Sequence, residues 1–204
     1  MHRDAPIRER ILAAAQALFL EKGFEGASVR VIARRAGCSA GMLYHFFASK
    51  ELLLARLVES TFEKLDKRMA QWAAAPGNPL ERLERLLHAY IAFGLEHPHE
   101  YGFLFSHGLH RLAPNVASVF ETRGIACYRR LRDLCTEGLA EGLLRRDLGP
   151  ADEIAQALWA AVHGLVHLLN SADGFPFAAR KRLVRRQLEI LLRGIRAAEA
   201  GAQK

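Results

Sequence analysis

The sequence predicts an all-α protein in which a small N-terminal group of helices precedes a larger helical domain. Apolar residues recur at steps of three and four almost throughout the 204 residues, and no segment alternates apolar and polar side chains as a half-buried strand would. Serine or asparagine precedes several of these periodic segments, and glycine or proline follows them, as expected at helix ends. Half of the residues are hydrophobic, which is enough to bury a sizeable core.

The beginning of the chain predicts two helices. Apolar side chains at three- and four-residue steps in residues 11–19 indicate a first helix that ends near Gly23. Ser28 is expected to cap a second helix over residues 29–36, because its hydroxyl can accept a hydrogen bond from a backbone N–H of the first turn. Gly37 then ends that helix, since glycine adopts the left-handed conformation at little cost.

A short third helix and a long fourth helix are predicted next. Ser39 is expected to cap the third helix, over residues 40–45. Ser49 is expected to cap the fourth, which keeps one apolar face as far as Trp72. The stretch AAAPGNP at residues 73–79 combines proline and glycine and ends this helix.

Proline and glycine also separate the helices predicted in the rest of the chain. Asn78 and Pro79 form the cap and the first position of one helix, and the dipeptide His97-Pro98 ends it. The later helices are expected at about residues 99–108, 115–141, 151–172 and 176–198.

Charge and hydropathy narrow the class of protein. We divide the chain into a domain of residues 1–50 and a domain of residues 51–204. Residues 1–56 carry nine Lys/Arg and five Asp/Glu, whereas the rest of the chain carries twenty and seventeen, so positive charge is denser at the N-terminal end, as in nucleic-acid-binding modules.

No secretory signal begins the chain, and the longest apolar run, residues 157–169, is too short for a membrane span. We expect a cytoplasmic protein that does not enter a membrane.

The segment from Ile11 to Leu54 has the organisation of a helix-turn-helix. Two short helices are joined by Gly37-Cys38-Ser39, and the second can project into the major groove of DNA. The segment resembles the DNA-binding domain of the TetR family of bacterial transcriptional regulators. The matching residues keep their order and spacing without a gap: Ile11-Leu-Ala-Ala-Ala15, Leu18-Phe19, Gly23-Phe24, Ser28-Val29, Ile32-Ala33, Ala36-Gly37, Ser39, Leu43-Tyr44, Phe47, Ser49-Lys50-Glu51 and Leu53.

The resemblance implies roles for individual residues. The positions that hold DNA phosphates in the family correspond to Ser28, Tyr44 and Lys50. The positions that contact bases or the groove correspond to Ser39, Ala40, Gly41 and His45. Since alanine and glycine bring few donors to base edges, we expect much of the specificity to come from DNA shape or bridging water. The core of the module would consist of Ile11, Ala15, Phe19, Ile32, Ala33, Leu43 and Phe47.

A second motif overlaps the turn and suggests an enzyme. The residues Gly37-Cys38-Ser39-Ala40-Gly41 fit the G-x-S-x-G nucleophile elbow, which requires a buried strand before the serine. The preceding residues have helical spacing instead, so we interpret Ser39 as a helix cap and do not expect an enzyme. A helical enzyme whose histidines and aromatic residues form the active site is the alternative, although no nucleophile and base converge in the sequence.

The resemblance also implies that the larger domain binds a small effector. Trp159, His163 and Gly164 lie in WAAVHG, which is similar to a Trp-His-Gly motif in the C-terminal domain of one TetR subgroup. An apolar pocket with a few polar groups would suit an unknown small molecule. The candidate lining residues are Phe93, Phe103, Phe120, Tyr128, Trp159 and His163, each of which could equally be an ordinary core residue.

Two apolar stripes on the last two helices could form the homodimer that the resemblance implies. Such stripes can pack as a four-helix bundle across a two-fold axis. The candidate interface residues are Leu158, Leu165, Leu169, Val184, Leu188, Leu191 and Ile195. In the alternative interpretation, the stripes face only the core of their own chain.

Histidines and cysteines raise the question of a metal or redox sensor. His163 and His167 are four residues apart and His107 and His110 are three apart, so each pair can share a helix face, but no cysteine or carboxylate completes a metal site. The three cysteines have neither disulfide nor zinc spacing: Cys38, Cys127 and Cys135. We predict no metal and no cofactor, and a metal- or redox-responsive regulator on the same scaffold is the alternative.

Together these expectations describe a homodimeric DNA-binding regulator, which the resemblance makes a repressor. A small molecule bound to the larger domain would release it from a palindromic, double-stranded operator. Its two recognition helices would enter successive major grooves about 34–36 Å apart. The effector would change this separation through the long fourth helix, with a coupling free energy of about 1–3 kcal/mol.

Overall fold

A computed structural model describes residues 6–105, 114–172 and 174–198 of the chain. Over these residues the regular structure is helical, and extended pairing is limited to an isolated antiparallel bridge between Leu144 and Arg196. The prediction of an all-α protein is confirmed. None of the helices in the described ranges is long and apolar enough to cross a membrane.

The helices follow one another largely where the sequence predicts them. In the first half of the chain they are α1 (Ile7–Gly26), α2 (Val29–Ala36), α3 (Ala40–Phe46), α4 (Lys50–Ala73), α5 (Pro79–Glu96) and α6 (Pro98–Leu104). In the second half they are α7 (Pro114–Val119), α8 (Ile125–Ala140), α9 (Ala151–Ser171) and α10 (Arg180–Ile195). A π-helical turn, Phe120–Gly124, joins α7 to α8, and a 3-10 turn, Arg146–Leu148, follows α8.

The predicted caps account for these boundaries. Each capping side chain accepts a hydrogen bond from the backbone N–H three residues later, at 3.0–3.3 Å: Ser28, Ser39, Ser49 and Asn78. Gly37 ends α2 in the left-handed conformation, with φ of 68°. The helical path of α1 breaks at Gly23, where φ is 71°, which is the predicted end of the first helix.

The last helix begins four residues later than predicted. Pro176 was expected to start it, because proline suits the first helical position, but α10 starts at Arg180. The N–H of Phe177 donates to the carbonyl of Phe175 at 2.8 Å, and the two rings lie 4.4 Å apart between centroids. This local aromatic turn replaces the first predicted turn of the helix.

Two other predicted helices differ in detail. The helix expected over residues 115–141 contains the π-helical turn, in which the hydroxyl of Thr122 donates to the carbonyl of Ser118 at 2.8 Å and competes for the backbone ladder. The helix expected over residues 99–108 corresponds to α6, and residues 106–108 lie outside the described part of the chain.

The described residues form two compact units. The first contains the residues up to Phe62 together with those described between Gly102 and Arg123. The second contains Glu63–Tyr101 and the described residues from Gly124 onward. Helix α4 contributes residues to both units. The division at residue 50, made from the sequence, stays a prediction.

The core of the first unit is the one that the sequence predicts. All seven predicted core residues are buried: Ile11, Ala15, Phe19, Ile32, Ala33, Leu43 and Phe47. Two aromatic pairs extend this core towards later parts of the chain. Phe19 stacks on Phe103 with ring centroids 6.3 Å apart, and Phe62 meets Phe120 edge-on at 5.2 Å.

In the second unit, α5, α8, α9 and α10 pack around a shared apolar core. Gly94 of α5 allows a close approach, since a Cβ at this position would collide with Val166 of α9 and with the ring of Tyr101. The side-chain amide of Asn170 donates to the Gly94 carbonyl at 2.9 Å. The contact between α5 and α9 is therefore fixed by shape and by polar ties, of which this is one.

The stripes predicted as the dimer interface are largely buried within the protomer. Six of the seven residues are at most 8% exposed within the single chain: Leu158, Leu165, Leu169, Val184, Leu188 and Ile195. Leu191 is half-buried. The most regular apolar stripe of an amphipathic helix is the one that its own core buries. This burial agrees with the alternative interpretation, in which the stripes face the core of their own chain. The interface assignment of these residues stays a prediction.

Candidate nucleic-acid interface and interior polar cluster

The residues matched to DNA-contacting positions lie at the surface of the first unit. Five of them are exposed: Ser28, Ser39, Gly41, Tyr44 and His45. Ala40 and Lys50 are half-buried. Tyr44 is 52% exposed, and its hydroxyl has no hydrogen-bond partner among the described residues. Its ring is therefore presented to solvent rather than packed in the core.

Lys50 is the first residue of α4 and is oriented by Phe24. Its ammonium donates to the Phe24 carbonyl at 2.9 Å and lies 4.0 Å from the centroid of the Phe24 ring. The carbonyl uses one of three ammonium protons, so two can still reach an anion. The amino end of α4 also carries the positive end of the helix dipole, where backbone and Ser49 hydrogen bonds lower the pKa of the Glu51 carboxylate. This end of the helix is suited to a phosphate.

The sequence reasoning missed two exposed apolar residues on α3. Met42 and Phe46 are 45% and 37% exposed, whereas Leu43 beside them is buried. Their spacing of four residues, which places both on one side of α3, was the available signal. Large apolar groups on a helix that enters a major groove can contact thymine methyl groups. Two basic residues one turn apart on α2 are also exposed, Arg30 and Arg34.

The nucleophile-elbow interpretation of Gly37–Gly41 fails on its structural context. The residues before the turn form helix α2, not a strand. The hydroxyl of Ser39 accepts a hydrogen bond from the Met42 N–H at 3.1 Å and caps α3. The prediction that Ser39 is a helix cap is confirmed.

Four side chains form a hydrogen-bonded chain inside the second unit. The Trp159 indole donates to the Tyr90 hydroxyl at 3.0 Å. The Tyr90 oxygen lies 3.0 Å from the Tyr101 hydroxyl and 3.2 Å from Nδ1 of His163, and the Tyr101 hydroxyl lies 2.5 Å from the same nitrogen. Both tyrosines are buried. These hydrogen bonds link α5, α6 and α9 and run from the two buried tyrosines to Trp159, which is 39% exposed. The members satisfy one another's polar groups.

The donors in this hydrogen-bonded chain allow His163 to be neutral with its proton on Nε2. The indole N–H can only donate, so the Tyr90 oxygen accepts it and gives its own proton onward. We assign Nδ1 of His163 as the acceptor of the short hydrogen bond from Tyr101, which places the imidazole proton on Nε2. Burial, and then the neighbouring His167, lower the pKa of His163, in agreement with a neutral ring. Burial raises the pKa of Tyr90 to about 12 and that of Tyr101 further, so both phenols keep their protons.

Of the predicted pocket residues, Trp159 and His163 belong to this hydrogen-bonded chain of side chains, and Tyr128 lies near it. The rings of Tyr128 and Trp159 are 6.3 Å apart between centroids. The Tyr128 hydroxyl donates to the Asp152 carboxylate at 2.7 Å, and burial together with that hydrogen bond raises the pKa of Tyr128 to about 12. Phe93 is buried on α5.

The remaining predicted pocket residues, Phe103 and Phe120, belong to the first unit, where each pairs with a phenylalanine. Tyr90, which is central to the polar chain, was missed. A tyrosine on the apolar face of a helix gives no sequence signal that distinguishes a hydrogen-bonding role from plain packing, because its partners are 11 and 73 residues away.

Comparison with known proteins identifies the family. The sequence model described as "Bacterial regulatory proteins, tetR family" matches residues 11–57, and the one described as "Tetracyclin repressor-like, C-terminal domain" matches residues 83–191. The chain belongs to the tetR family. It is a DNA-binding transcriptional regulator with a helix-turn-helix domain and a larger helical domain.

Individual relatives of this tetR-family regulator agree with that assignment. The HTH-type transcriptional repressor KstR2 of Mycobacterium tuberculosis is 34% identical over 142 residues, which is 69% of this chain and 70% of that protein. The HTH-type transcriptional regulator PksA of Bacillus subtilis is 30% identical over 158 residues, 78% and 76% of the two chains. The solved structure of the ketosteroid transcriptional regulator KstR2 of M. tuberculosis matches with a TM-score of 0.76 at 27% identity, over 96% of this chain and 98% of that one. The similarity of WAAVHG to a subgroup motif is not tested by these matches and stays a prediction.

Two cysteines of the tetR-family regulator are poor redox sensors. Cys127 and Cys135 are buried, and burial raises the pKa of each thiol to about 12. At neutral pH little of either is present as the reactive thiolate. Cys38 is half-buried in the turn of the helix-turn-helix.

The structure describes one of the two predicted histidine pairs. The rings of His163 and His167 stack with centroids 6.5 Å apart. His107 and His110 lie outside the described residues. Within the described ranges, no group of three histidine, cysteine or acidic residues is arranged to hold a metal ion.

Proposed function

We propose that this tetR-family regulator is a homodimeric repressor that binds a palindromic double-stranded operator and is released by a small molecule. The observation that carries the DNA-binding part is the surface that combines the exposed Ser28 and Tyr44 and the half-buried Lys50 with capped helix N-termini. The repressor assignment draws on the named repressor KstR2. A repressor of this kind acts where the bacterial chromosome lies, in the cytoplasm.

In this proposal α3 enters the major groove while the amino ends of α2 and α4 meet the phosphates. Free N–H groups and the helix dipole attract phosphate oxygens there, and the Tyr44 hydroxyl and the Lys50 ammonium add two further contacts. Because Ala40 and Gly41 carry no side-chain donor, base contacts would fall to Ser39 and His45. Much of the selectivity would then come from DNA shape.

The hydrogen-bonded chain of Trp159, Tyr90, Tyr101 and His163 is the proposed region of effector recognition. Its donors and acceptors are matched to one another, so a ligand that accepts a hydrogen bond from Nε2 of His163, or displaces a phenol, would rearrange the whole chain. These hydrogen bonds tie α5 and α6 to α9, so such a rearrangement can alter helix positions. The effector would then be a small organic molecule with at least one hydrogen-bonding group, coupled to operator binding by about 1–3 kcal/mol.

The proposed dimer face is the exposed side of α9 and α10, next to the stripes that the core buries. Small and apolar residues follow it at helical steps on α9: Ala157, Ala160, Gly164 and Leu168. The matching face of α10 carries Leu183, Gln187, Ile190 and Gly194. Leu168 and Ile190 are 51% and 60% exposed. A second copy would bury these side chains in a four-helix bundle around a two-fold axis.

Operator binding measured across a series of salt concentrations tests the DNA assignment. Sequencing the genomic fragments retained by the purified protein supplies the operator. Lys50→Gln removes the charge but keeps an amide that can donate to the Phe24 carbonyl. It should weaken binding and flatten the slope of log K against log salt by about one for each lost phosphate contact. Tyr44→Phe should also weaken binding, because it removes the hydroxyl that would contact a phosphate while keeping the ring.

Lys67→Gln is the matched control, because Lys67 is an exposed lysine of the same helix in the second unit. It removes the same charge and should leave both the affinity and the salt slope unchanged. If Lys50→Gln and Tyr44→Phe both bind like the unaltered protein, the assignment of these residues to the phosphates is wrong.

A further inference from the structure

An arginine-lined cavity in the second unit has no part in the proposed DNA surface, effector region or dimer face. It is open to solvent and has a volume of about 600 Å³. Its charged lining comes from the loop after α8 and from the end of α10: Arg145, Arg146, Asp147, Arg193 and Arg196.

The wall of this cavity is fixed by backbone pairing. The antiparallel bridge between Leu144 and Arg196 joins the loop to the end of α10, and backbone hydrogen bonds of 2.9 Å lie on either side of it. Leu144 is buried against Gly138 of α8, where a Cβ would lie only 2.8 Å from the Leu144 side chain. The cavity is therefore preformed and does not depend on a ligand to order its loop.

Three of the four arginines carry charge that no neighbour within the described residues balances. Arg145 gives hydrogen bonds of 2.6 and 3.1 Å to the Asp147 carboxylate and one of 3.3 Å to the Gly194 carbonyl. The guanidinium groups of the other three have no ion-pair or hydrogen-bond partner among the described residues: Arg146, Arg193 and Arg196. The lining thus has a net charge of three positive units.

Cations at the carboxyl end of a helix often serve only to balance its exposed carbonyls. Here three of the last four carbonyls already have donors. The Leu192 carbonyl accepts from the Arg196 N–H, the Ile195 carbonyl from the Arg145 N–H, and the Gly194 carbonyl from the Arg145 guanidinium. More guanidinium groups therefore line the cavity than the helix end requires.

We propose that this cavity binds a small molecule that carries a di- or triphosphate group. A guanidinium donates two parallel hydrogen bonds to phosphate oxygens, and three such groups in one concavity match a chain of phosphates better than a single carboxylate. The volume falls in the range of small-molecule sites. The ligand is either a nucleotide or inorganic polyphosphate, which share this chemistry, and the site would be a second input to the regulator beside the effector region.

Calorimetric titration of the full-length protein at fixed ionic strength tests the proposal, with inorganic tripolyphosphate, ATP and citrate as probes. We expect tripolyphosphate and ATP to bind with one ligand per chain, and citrate to bind more weakly. Tighter binding of ATP identifies a nucleotide site, and equal binding identifies a site for the polyphosphate alone. Arg193→Gln/Arg196→Gln should weaken binding by about tenfold or more.

Lys181→Gln/Arg182→Gln is the matched control, since it removes two exposed charges from the other end of α10. It should change the affinity by less than about twofold, because screening limits the reach of surface charge. Arg146→Gln, in the loop outside α10, provides a variant that leaves the helix untouched and should also weaken binding.

Three results would overturn the proposal. One is the absence of saturable binding by tripolyphosphate and ATP, and another is an equal loss of binding in the control variant, which would indicate a general charge effect. The third is a loss of operator affinity in Arg193→Gln/Arg196→Gln without any phosphate ligand, to the extent seen for Lys50→Gln. That result would make the arginines a DNA contact instead.

Discussion

Two glycines of the helix-turn-helix, four residues apart, differ in backbone conformation and therefore in how they would tolerate a side chain. Gly37 has φ of 68°, where an L side chain is strained, while Gly41 lies within α3 and a Cβ there would meet Ser39 at an ordinary 3.8 Å. Gly37→Ala should therefore lower the free energy of unfolding by about 1–2 kcal/mol. Gly41→Ala should raise it by about 0.5–1 kcal/mol, because alanine loses less conformational entropy in a helix. Urea denaturation of the two variants checks the opposite signs, and a shared sign would contradict this account.

His163 makes the stability of the second unit depend on pH. Its pKa in the folded protein is lower than the ordinary value of 6.5, because burial and His167 disfavour the imidazolium. Above pH 6.5 the ring is neutral in both states and its contribution is fully present. As the pH falls, the unfolded chain binds the proton first, so the folded state loses stability until the pH passes the lower folded pKa.

We therefore expect the free energy of unfolding to fall from about pH 7.5 to about pH 5.5, and to fall less in His163→Gln. Denaturant titrations at the two pH values measure the difference directly. His88→Gln is a useful comparison, because His88 is an exposed histidine on α5. An identical pH dependence of His163→Gln and the unaltered protein would show that His163 does not carry the effect.

At the scale of helices, the sequence predicts what local chemistry decides. The starts of α2, α3 and α5 follow from Ser28, Ser39 and Asn78, because a cap acts on the N–H three residues away. The start of α10 does not follow, since the aromatic turn at Phe175 and Phe177 competes with a proline that is equally suited to a first helical position.

The candidate sites also differ in whether local sequence or long-range packing determines them. The residues matched to DNA-contacting positions lie in one short module, and the spacing within that module sets where they are expected at the surface. The polar chain could not, because Tyr90 and Tyr101 meet His163 only after three helices pack together. The dimer face could not be assigned from periodicity, which identifies an apolar stripe such as that of Leu188 but not whether its own core or a partner covers it.

The approach of α5 to α9 provides a test at this scale. A Cβ at Gly94 would collide with Val166 and with the Tyr101 ring, whereas one at Gly102 of α6 would meet nothing. Gly94→Ala should destabilise the protein by about 1–3 kcal/mol, as other overpacked cores do. Gly102→Ala should be neutral or slightly stabilising. Thermal unfolding of both variants checks this, and a neutral Gly94→Ala would mean that the two helices can separate at little cost.

At the scale of the whole molecule, recognition of a palindrome requires two copies of the chain. A single helix-turn-helix reads one half-site, and joining two makes the second contact effectively intramolecular. Operator affinity should therefore depend on residues that touch no DNA. In the proposed arrangement these are the exposed residues of α9 and α10, of which Ile190 and Leu168 present the most apolar surface.

Ile190→Asp should dissociate the dimer, because it places two carboxylates against an apolar face near a two-fold axis. The mass in solution should fall from twice 22.8 kDa to 22.8 kDa, and operator affinity should fall with it while the helical content stays unchanged. Ile125→Asp is the matched control, since Ile125 is 43% exposed on α8 outside the proposed face. Leu188→Ala, in the buried stripe, should instead lower the unfolding free energy by about 2–5 kcal/mol. A dimer that survives Ile190→Asp but is lost in Ile125→Asp would move the interface from α10 to α8.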